Sequence, residues 1–173
     1  GLIHRINTYR PDFIFNLCES LYGKSENEMN VAGLFELLNI AYTGSEPFVL
    51  GLALDKIKSK QILYSAGLPV PGGVVAFPKG TVELGKLKSP YIVKPTQEDG
   101  SLGITTDSVV RNAKEVMERI ASIHKEFHEP AIIEEYIEGR EVSVSVIGNE
   151  RPKVLAITEI DFTDFPEDKP KIQ

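Results

Sequence analysis

Residues 91–104 read Tyr91-Ile92-Val93-Lys94-Pro95-Thr96-Gln97-Glu98-Asp99-Gly100-Ser101-Leu102-Gly103-Ile104, and this stretch decides how the remainder of the chain is interpreted. Its apolar start predicts a buried β-strand that ends on Lys94, with the ammonium directed outward. Gly100 and Gly103 allow backbone N–H groups of the following loop to converge on an anion. A lysine beside a mobile glycine and serine loop therefore fits a polyphosphate site. Taken alone, the stretch favours a simpler interpretation, an ordinary strand and surface turn, because glycine loops are common.

The composition is that of a globular protein. The 173 residues are 42% hydrophobic and 25% charged, enough for the core of one domain or two small ones. The net charge is −6 without a basic cluster, so nucleic acid and anionic membranes are not expected as main partners. The apolar runs are too short to cross a bilayer, and the first residues do not have the pattern expected of a signal peptide. The single Cys18 has no nucleophile motif and fits a structural thiol in a reducing cytosol, so we expect a cytoplasmic protein.

The two ends of the sequence predict a piece of a longer protein. The first residue is Gly1 rather than methionine, and residues 161–173 are rich in proline and charge. This last segment contains acidic residues that resemble a metal-binding run, namely Asp161, Asp164, Glu167 and Asp168. Pro166 and Pro170 lie among them and favour a solvated loop instead.

The first part of the sequence predicts half of an α/β domain. Residues 12–17 form a near-continuous apolar run, typical of a parallel strand buried on both faces. Ser25 and Glu28 form a capping-box pattern, which predicts a helix that ends near Leu38. The apolar face of this helix comprises Val31, Leu34, Phe35 and Leu38. A short strand over residues 40–42 follows.

Two further helices are predicted before the central strands. Ser45 is the expected N-cap of the first, with Pro47 in its first turn. Asp55 is the expected cap of the second, which covers residues 56–66 and ends at Gly67. The apolar side of this second helix is expected to comprise Ile62, Leu63 and Ala66. The most basic part of the chain lies here, with Lys56, Lys58 and Lys60. A solvated helix face is the simplest interpretation of these lysines.

The second half of the sequence alternates strands with one long helix. Strands are predicted over residues 74–77, 91–94, 108–110, 131–137, 141–146 and 154–160. Residues 81–88 are expected to form a short irregular helix. Asn112 and Glu115 repeat the capping pattern before an amphipathic helix, which Pro130 terminates. The apolar face of that helix comprises Val116, Ile120, Ile123 and Phe127. The last two strands are expected to form an antiparallel hairpin.

Carboxylates and histidines in this half are candidates for chemistry. Alternation puts Glu134 and Glu135 on opposite faces of their strand, so that one of them can face a polar cleft. Glu141 opens the next strand, where a carboxylate can accept hydrogen bonds from a sugar diol. Edge or surface positions are the simpler interpretation for all three glutamates. His124 and His128 have a spacing that suits zinc, but no third ligand is evident.

Several segments, taken in order, resemble one family. The first domain of the D-alanine–D-alanine ligases is similar to Phe15-Asn16-Leu17-Cys18-Glu19 and to Leu38-Asn39-Ile40-Ala41-Tyr42-Thr43-Gly44-Ser45. The next segment of the family is similar to Leu54-Asp55-Lys56 with Lys60, followed by Ala66-Gly67-Leu68-Pro69-Val70-Pro71. The lysine and glycine loop of the family is similar to Val93-Lys94-Pro95 with Gly100-Ser101-Leu102-Gly103. Its nucleotide-binding hinge is similar to Ile133-Glu134-Glu135-Tyr136-Ile137-Glu138-Gly139-Arg140-Glu141. Their order and spacing over nearly the whole chain are specific, and they imply the ATP-grasp superfamily.

The resemblance implies a fold and a division of the chain. The expected fold class is α/β (α+β), with a partial ATP-grasp fold that ends at the start of an antiparallel C-terminal sheet. Residues 1–46 would be the C-terminal part of an N-terminal α/β domain. Residues 47–137 would form the central nucleotide-binding subdomain, and residues 138–173 would begin the C-terminal subdomain.

The resemblance also implies which residues hold ATP. Lys56 and Lys94 would contact the phosphates, and the loop over residues 96–103 would fold over them. The loop residues concerned are Gly100, Ser101 and Gly103, with Ser101 as the one candidate catalytic residue. The adenine would be held by Glu134, Glu135, Tyr136 and Ile137, and the ribose hydroxyls by Glu141. The implied cofactors are ATP and Mg²⁺, with metal ligands expected after residue 173.

In this family ATP phosphorylates a carboxylate, and an amine then attacks the acylphosphate to give an amide. The implied function is an ATP-dependent carboxylate–amine ligase that joins D-alanine for peptidoglycan synthesis and forms homodimers. Another ATP-grasp amino-acid ligase and a non-catalytic nucleotide-binding module remain alternatives.

The sequence departs from the family pattern in three places. The family's Glu-Gly-Ser-Ser reads Glu98-Asp99-Gly100-Ser101 here, so Gly100 replaces a serine that helps to place the first D-alanine. This replacement predicts weaker selectivity for D-alanine. The segment around Cys18 lacks the family's His-Gly and Gly-Glu-Asp-Gly features, which indicates a divergent branch. The family's later arginine, magnesium ligands and lysine, and its amino-terminal glutamate, are absent, so we expect this piece alone not to catalyse ligation.

Overall fold

The structure, a computed structural model, describes residues 1–166 and 169–172. The helices are α1 (Leu2–Tyr9), α2 (Glu28–Leu37), α3 (Pro47–Leu54), α4 (Lys56–Ser65) and α5 (Ala113–Glu126). The strands are β1 (Phe13–Ile14), β2 (Ala41–Tyr42), β3 (Gly73–Ala76), β4 (Tyr91–Pro95), β5 (Val109–Val110), β6 (Ala131–Glu135), β7 (Val142–Ile147) and β8 (Lys153–Glu159). Within the described residues these strands form a two-stranded, a four-stranded and a second two-stranded sheet.

The first sheet pairs β1 with β2 in parallel, as the sequence predicted. One side of it packs on α1 and α2 through a small core of Ile6, Val31 and Phe35. The expectation that this strand is buried on both faces is wrong, since Phe13 is 53% and Phe15 71% exposed. The reason is that the described part of the chain covers only the helix side of this pair, where Ile14 and Tyr42 point.

The helix starts agree with the sequence only in part. Ser25 does not cap α2, because it opens a short 3-10 turn (Ser25–Asn27) that precedes the helix. Ser45 does not cap α3 either, since Glu46 occupies the N-cap position without a side-chain bond, although Pro47 is the first helical residue. Asp55 does cap α4 as predicted, accepting a hydrogen bond from the Lys58 N–H at 3.0 Å.

The side of α4 that was predicted to be apolar and buried is exposed in the structure. Ile62 and Leu63 are 51% and 44% exposed, and neither lines the cleft between α4 and the central sheet. A cleft of about 360 Å³ lies between α4 and that sheet. The side chains of α4 that line it are Ile57, Lys60, Gln61 and Tyr64. The face of α4 directed at the sheet is therefore partly polar, and it carries a lysine.

The central sheet has the order β3-β6-β4-β5, and its neighbouring strands run antiparallel. Helix α5 covers one face of it and begins with the predicted Asn112 cap, which accepts the Glu115 N–H at 3.0 Å. The core between them comprises Ala76, Val93, Val110, Val116, Ile120, Ile123, Ala131 and Ile133. The helical face predicted from the sequence is confirmed as part of this core.

Residues 81–88 are not helical, contrary to the prediction. Gly85 has a left-handed φ of 58°, which interrupts a helix. Val82 and Leu84 nevertheless pack on the central core, so this irregular segment covers part of it. The last two strands, β7 and β8, form the predicted antiparallel hairpin, and their side chains are exposed.

Candidate functional site

Two charged side chains of the central sheet lie on the face opposite α5. Val93 and Ile133 are fully buried on the α5 side. Because side chains alternate along a strand, Lys94 and Glu134 point to the other face. Strands β4 and β6 are neighbours, and this pairing brings the lysine and the glutamate together.

Glu134 binds two lysines. Its Oε2 lies 2.6 Å from the Lys94 Nζ, and its Oε1 accepts a hydrogen bond from the Lys60 Nζ at 2.5 Å. Glu134 is only 7% exposed. Burial raises the pKa of this carboxyl, but the charge of Lys94 and the hydrogen bonds from both lysines lower it more. The net result is a pKa below the ordinary value, so that the carboxylate is ionised at neutral pH.

Lys56 lies one turn before Lys60 and contacts the start of the glycine loop. Its backbone N–H donates to the Thr96 carbonyl at 3.0 Å, and its ammonium donates to the Glu98 carbonyl. Burial and the nearby charge of Lys94 lower the pKa of Lys56. The Lys56 and Lys94 ammonium groups are therefore near enough to repel each other, while the nearby carboxylates of Glu129, Asp99 and Glu98 raise the pKa of Lys56. An anion with several charges can offset the repulsion between the two lysines.

The glycine loop is anchored at its start. The Glu129 carboxyl lies beside the backbone N–H groups of Thr96 and Gln97, and burial raises its pKa more than these groups lower it. The Ser25 hydroxyl donates to Glu98 Oε2 at 2.9 Å, which links the first part of the chain to the loop. Together with the contacts of Lys56, these neighbours hold residues 96–98 from three separate segments.

The loop is also anchored at its end. Arg119 of α5 donates through Nη2 to the Gly103 carbonyl at 2.5 Å and to the Ser108 hydroxyl at 3.0 Å. Gly103 has a φ of 72°, and a Cβ there would lie 2.7 Å from the Phe127 ring. Residues 99–102 between the two anchors are exposed, with Gly100 and Ser101 in the left-handed region. The loop thus has fixed ends and an exposed tip beside Lys56.

The remaining predicted site residues lie at the end of β6 and in the segment that follows it. Glu135 points to the opposite face from Glu134, as predicted, and its Oε1 accepts the Lys88 N–H at 2.9 Å. The Tyr136 N–H donates to the Pro90 carbonyl at 2.9 Å. Ile137 is 65% exposed, and Glu141 is exposed at the start of the hairpin. Among the predicted site residues, Lys94 and Glu134 are in direct contact, and Lys56 contacts the start of the glycine loop.

Three contributors to this site were not identified from the sequence. Ser25 and Glu129 contact the loop from positions far along the chain, and Arg119 looks like an ordinary charged residue on a helix. No local sequence signal marks these roles. Lys60 was visible as part of a basic helix face and of the family-like segment, but its contact with Glu134 depends on the fold.

The candidate metal residues are not brought together. The His124 Nε2 lies 3.0 Å from the Ala76 carbonyl, so its ring is engaged by β3. Asp161 accepts the Thr163 N–H at 2.9 Å within a loop, whereas Glu167 and Asp168 lie outside the described residues. Across residues 1–166 and 169–172 no group of three or more His, Cys, Asp or Glu side chains is placed to hold a metal ion. None of the helices in this part of the chain is long and apolar enough to cross a membrane.

Known proteins resemble both the sequence and the fold. The family model described as D-ala D-ala ligase C-terminus matches residues 76–166, slightly more than half of the chain. A D-alanine–D-alanine ligase of Caulobacter sp. (strain K31) is 39% identical over 152 residues, which cover 87% of this chain and 45% of that protein. The chain thus spans about half the length of the curated relatives that it matches.

Solved structures agree with this result. The VanG D-Ala:D-Ser ligase from Enterococcus faecalis has a TM-score of 0.69 at 29% identity, covering 87% of this chain and 43% of that one. A D-alanine–D-alanine ligase from Bacillus anthracis, complexed with ATP, has a TM-score of 0.65 at 23% identity, covering 90% and 55%, and this likeness concerns the fold alone. These structures confirm the predicted fold class, a partial α/β ATP-grasp fold. The chain belongs to the D-alanine–D-alanine ligase family.

Proposed function

We propose that this chain is the nucleotide-binding part of an ATP-dependent carboxylate–amine ligase of the D-alanine–D-alanine type. The observation that carries the proposal is the position of Lys56 and Lys94 beside a glycine loop whose two ends are anchored. Burial and the charge of Lys94 lower the pKa of Lys56, so a polyphosphate that neutralises both ammonium groups gains affinity from each. The family membership supports the same function.

The residues present fit ATP. Lys56 and Lys94 would hold the phosphates, and the backbone of residues 99–103 would close over them. Glu134, Glu135, Tyr136 and Ile137 would adjoin the adenine, and Glu141 would bind the ribose hydroxyls. ATP would supply the phosphoryl group that activates a substrate carboxylate for attack by an amine. The side chains of this chain position the phosphates, offset their charge and, with the loop, exclude water.

A magnesium ion belongs to the same proposal but not to the described residues. Since no suitable group of ligands is found among residues 1–166 and 169–172, we assign no metal ligand there. Ser101 is the candidate catalytic residue because it lies at the exposed tip of the loop. We also retain the division into residues 1–46, 47–137 and 138–173, a cytoplasmic location and a homodimer as proposals.

The proposed amino-acid substrate is D-alanine, supported by the names of the relatives. Gly100 stands where the family has a serine that helps to place the first D-alanine, so we propose a relaxed selectivity. The main alternative is a ligase of the same superfamily for other amino acids. One structural relative is named a D-Ala:D-Ser ligase, which shows that its own substrate differs. A non-catalytic nucleotide-binding module is the other alternative.

Phosphate release from ATP by the full-length protein that contains this sequence tests the proposal. We expect release that depends on D-alanine, continues more slowly with other small D-amino acids, and is lost in Lys94→Met. Release with other amino acids but not with D-alanine would favour the alternative ligase. ATP binding without phosphate release for any amino acid would favour the non-catalytic module.

A further inference from the structure

Lys60 contacts the charged centre of the site but has no role in the function proposed above. It lies four residues after Lys56, on the same face of α4. Whereas Lys56 reaches the loop, Lys60 reaches Glu134 at 2.5 Å. The side chains of Lys60, Glu134 and Lys94 are 19%, 9% and 21% exposed. The three charged groups are therefore largely removed from water.

The stoichiometry of this cluster is two ammonium groups on one carboxylate, with one oxygen for each lysine. A buried carboxylate that loses all of its partners is strongly destabilised. If Glu134 had Lys94 alone, that lysine could turn to a phosphate only by leaving the carboxylate unpaired. With Lys60 on Oε1, the carboxylate keeps a partner after Lys94 leaves Oε2.

A glycine in the neighbouring strand makes room for the pair. A Cβ at Gly73 of β3 would lie 2.8 Å from the Lys60 Nζ and 3.1 Å from the Glu134 Cγ. It would also lie 3.0 Å from the Ile133 carbonyl, which belongs to the backbone and cannot move away. A side chain at this position would therefore displace the pair. The sheet is built with a gap that the Lys60 ammonium fills.

We propose that Lys60 is a positioning residue that keeps Glu134 paired while Lys94 moves from Glu134 to a bound phosphate. This inference rests on the proposed function, because it assigns Lys94 to a nucleotide phosphate. The charged groups that face Glu134 are Lys60 from α4 and Lys94 from β4, while the neighbouring Glu135 of β6 points to the opposite face. Lys60 acts through Glu134 and Lys94 and does not itself contact the nucleotide.

Calorimetric titration of the chain with ATP, at pH 8 and at pH 6, tests this role. In Lys60→Met, ATP binding leaves the Glu134 carboxylate without a partner. At pH 8 the affinity for ATP therefore falls by at least about tenfold relative to the unmodified chain. At pH 6 the stranded carboxylate takes up a proton as ATP binds, so this deficit becomes smaller. Lys60→Arg restores the affinity, and Lys114→Met, an exposed control on α5, leaves it unchanged. A deficit that is independent of pH, or no deficit, overturns the proposal.

A second measurement needs no ligand. The Glu134 carboxyl is titrated by NMR in Lys94→Met, which mimics the departure of Lys94. With Lys60 present, the pKa of Glu134 stays below its ordinary value, and in Lys60→Met/Lys94→Met it rises above that value because burial alone remains. Equal pKa values in the two variants overturn the role of Lys60. If the unmodified chain fails to bind ATP, the proposed function fails, and this titration still decides whether Lys60 holds Glu134.

Discussion

At the scale of single residues, Glu134 is central to the site because its buried carboxylate pairs with two lysines. Alternation along its strand predicts that Glu134 and Glu135 lie on opposite faces, so that one can face a polar cleft. In the structure Glu134 is buried against two lysines. Which groups it meets depends on the pairing of β6 with β4 and on the position of α4. These contacts join residues that are far apart in the sequence, so no local pattern contains them.

Replacement of Glu134 by glutamine should destabilise the fold in a pH-dependent way. The variant leaves two largely buried lysines without a counter-charge. We therefore expect a loss of about 3 kcal/mol in the free energy of unfolding at pH 7. The pKa of Glu134 is lowered from 4.5 on folding, so its stabilisation is complete above that value and is lost as the pH falls through the lower folded pKa. Chemical denaturation at pH 7 and at acid pH should therefore show a difference from the unmodified chain that shrinks in acid.

The contribution of Gly103 can be separated from the general cost of a left-handed residue. Gly103→Ala meets both an unfavourable φ of 72° and the Phe127 ring, whereas Gly85→Ala meets only an unfavourable φ of 58° in open space. We expect Gly85→Ala to cost about 1 kcal/mol and Gly103→Ala to cost about 1–2 kcal/mol more. Thermal unfolding of the two variants gives the comparison, and equal losses would show that the Phe127 contact is unimportant.

At the scale of secondary-structure elements, the sequence contains capping patterns that do not all form caps. Asn112 has an extended backbone before α5, and its side chain accepts the Glu115 N–H. Ser25 instead lies inside a 3-10 turn, and the residue before α2 has a helical backbone that cannot orient a side chain over the first turn. The backbone conformation before a helix is set by the preceding chain, and for this reason residue identity alone mispredicts the cap.

This difference gives a matched pair of variants. Asn112→Ala removes a real cap, and we expect the free energy of unfolding to fall by about 1 kcal/mol. Ser45→Ala removes a serine that has the sequence of a cap but is exposed and precedes the actual N-cap, Glu46, so we expect no measurable change. Urea denaturation of both variants tests the assignment. A loss in Ser45→Ala as large as that in Asn112→Ala would contradict it.

The elements that were predicted correctly are those that contribute a regular apolar face to the central core. Helix α5 and strands β4 and β6 were predicted closely, because each contributes a strongly apolar face to one shared core. Residues 81–88 were mispredicted as a helix, because their contacts with that core come from an irregular segment with a turn at Gly85 and not from a periodic face. The apolar side of α4 was mispredicted because the side that faces the sheet contains Lys60. This lysine pairs with Glu134 and does not belong to an apolar core.

At the scale of the whole molecule, the candidate site draws on segments that lie far apart in the sequence. The segment before α2 supplies Ser25, α4 supplies Lys56 and Lys60, and α5 supplies Arg119. The central sheet supplies Lys94 and Glu134. The resemblance to a family predicted Lys56, Lys94 and Glu134 as site residues, whereas the contacts that hold the loop could be found only in the folded chain. The central claim is therefore one about assembly, namely that these separated residues form one ATP site.

Titration of the chain with ATP, followed by calorimetry, tests that claim most directly. We predict saturable binding of one ATP, with affinity reduced at least about tenfold in Lys94→Met and in Lys56→Met, because each removes a charge from the phosphate site. Lys114→Met removes an equal charge from an exposed position on α5 and should bind ATP as the unmodified chain does. Absence of ATP binding, or equal binding by all three lysine variants, would contradict the account.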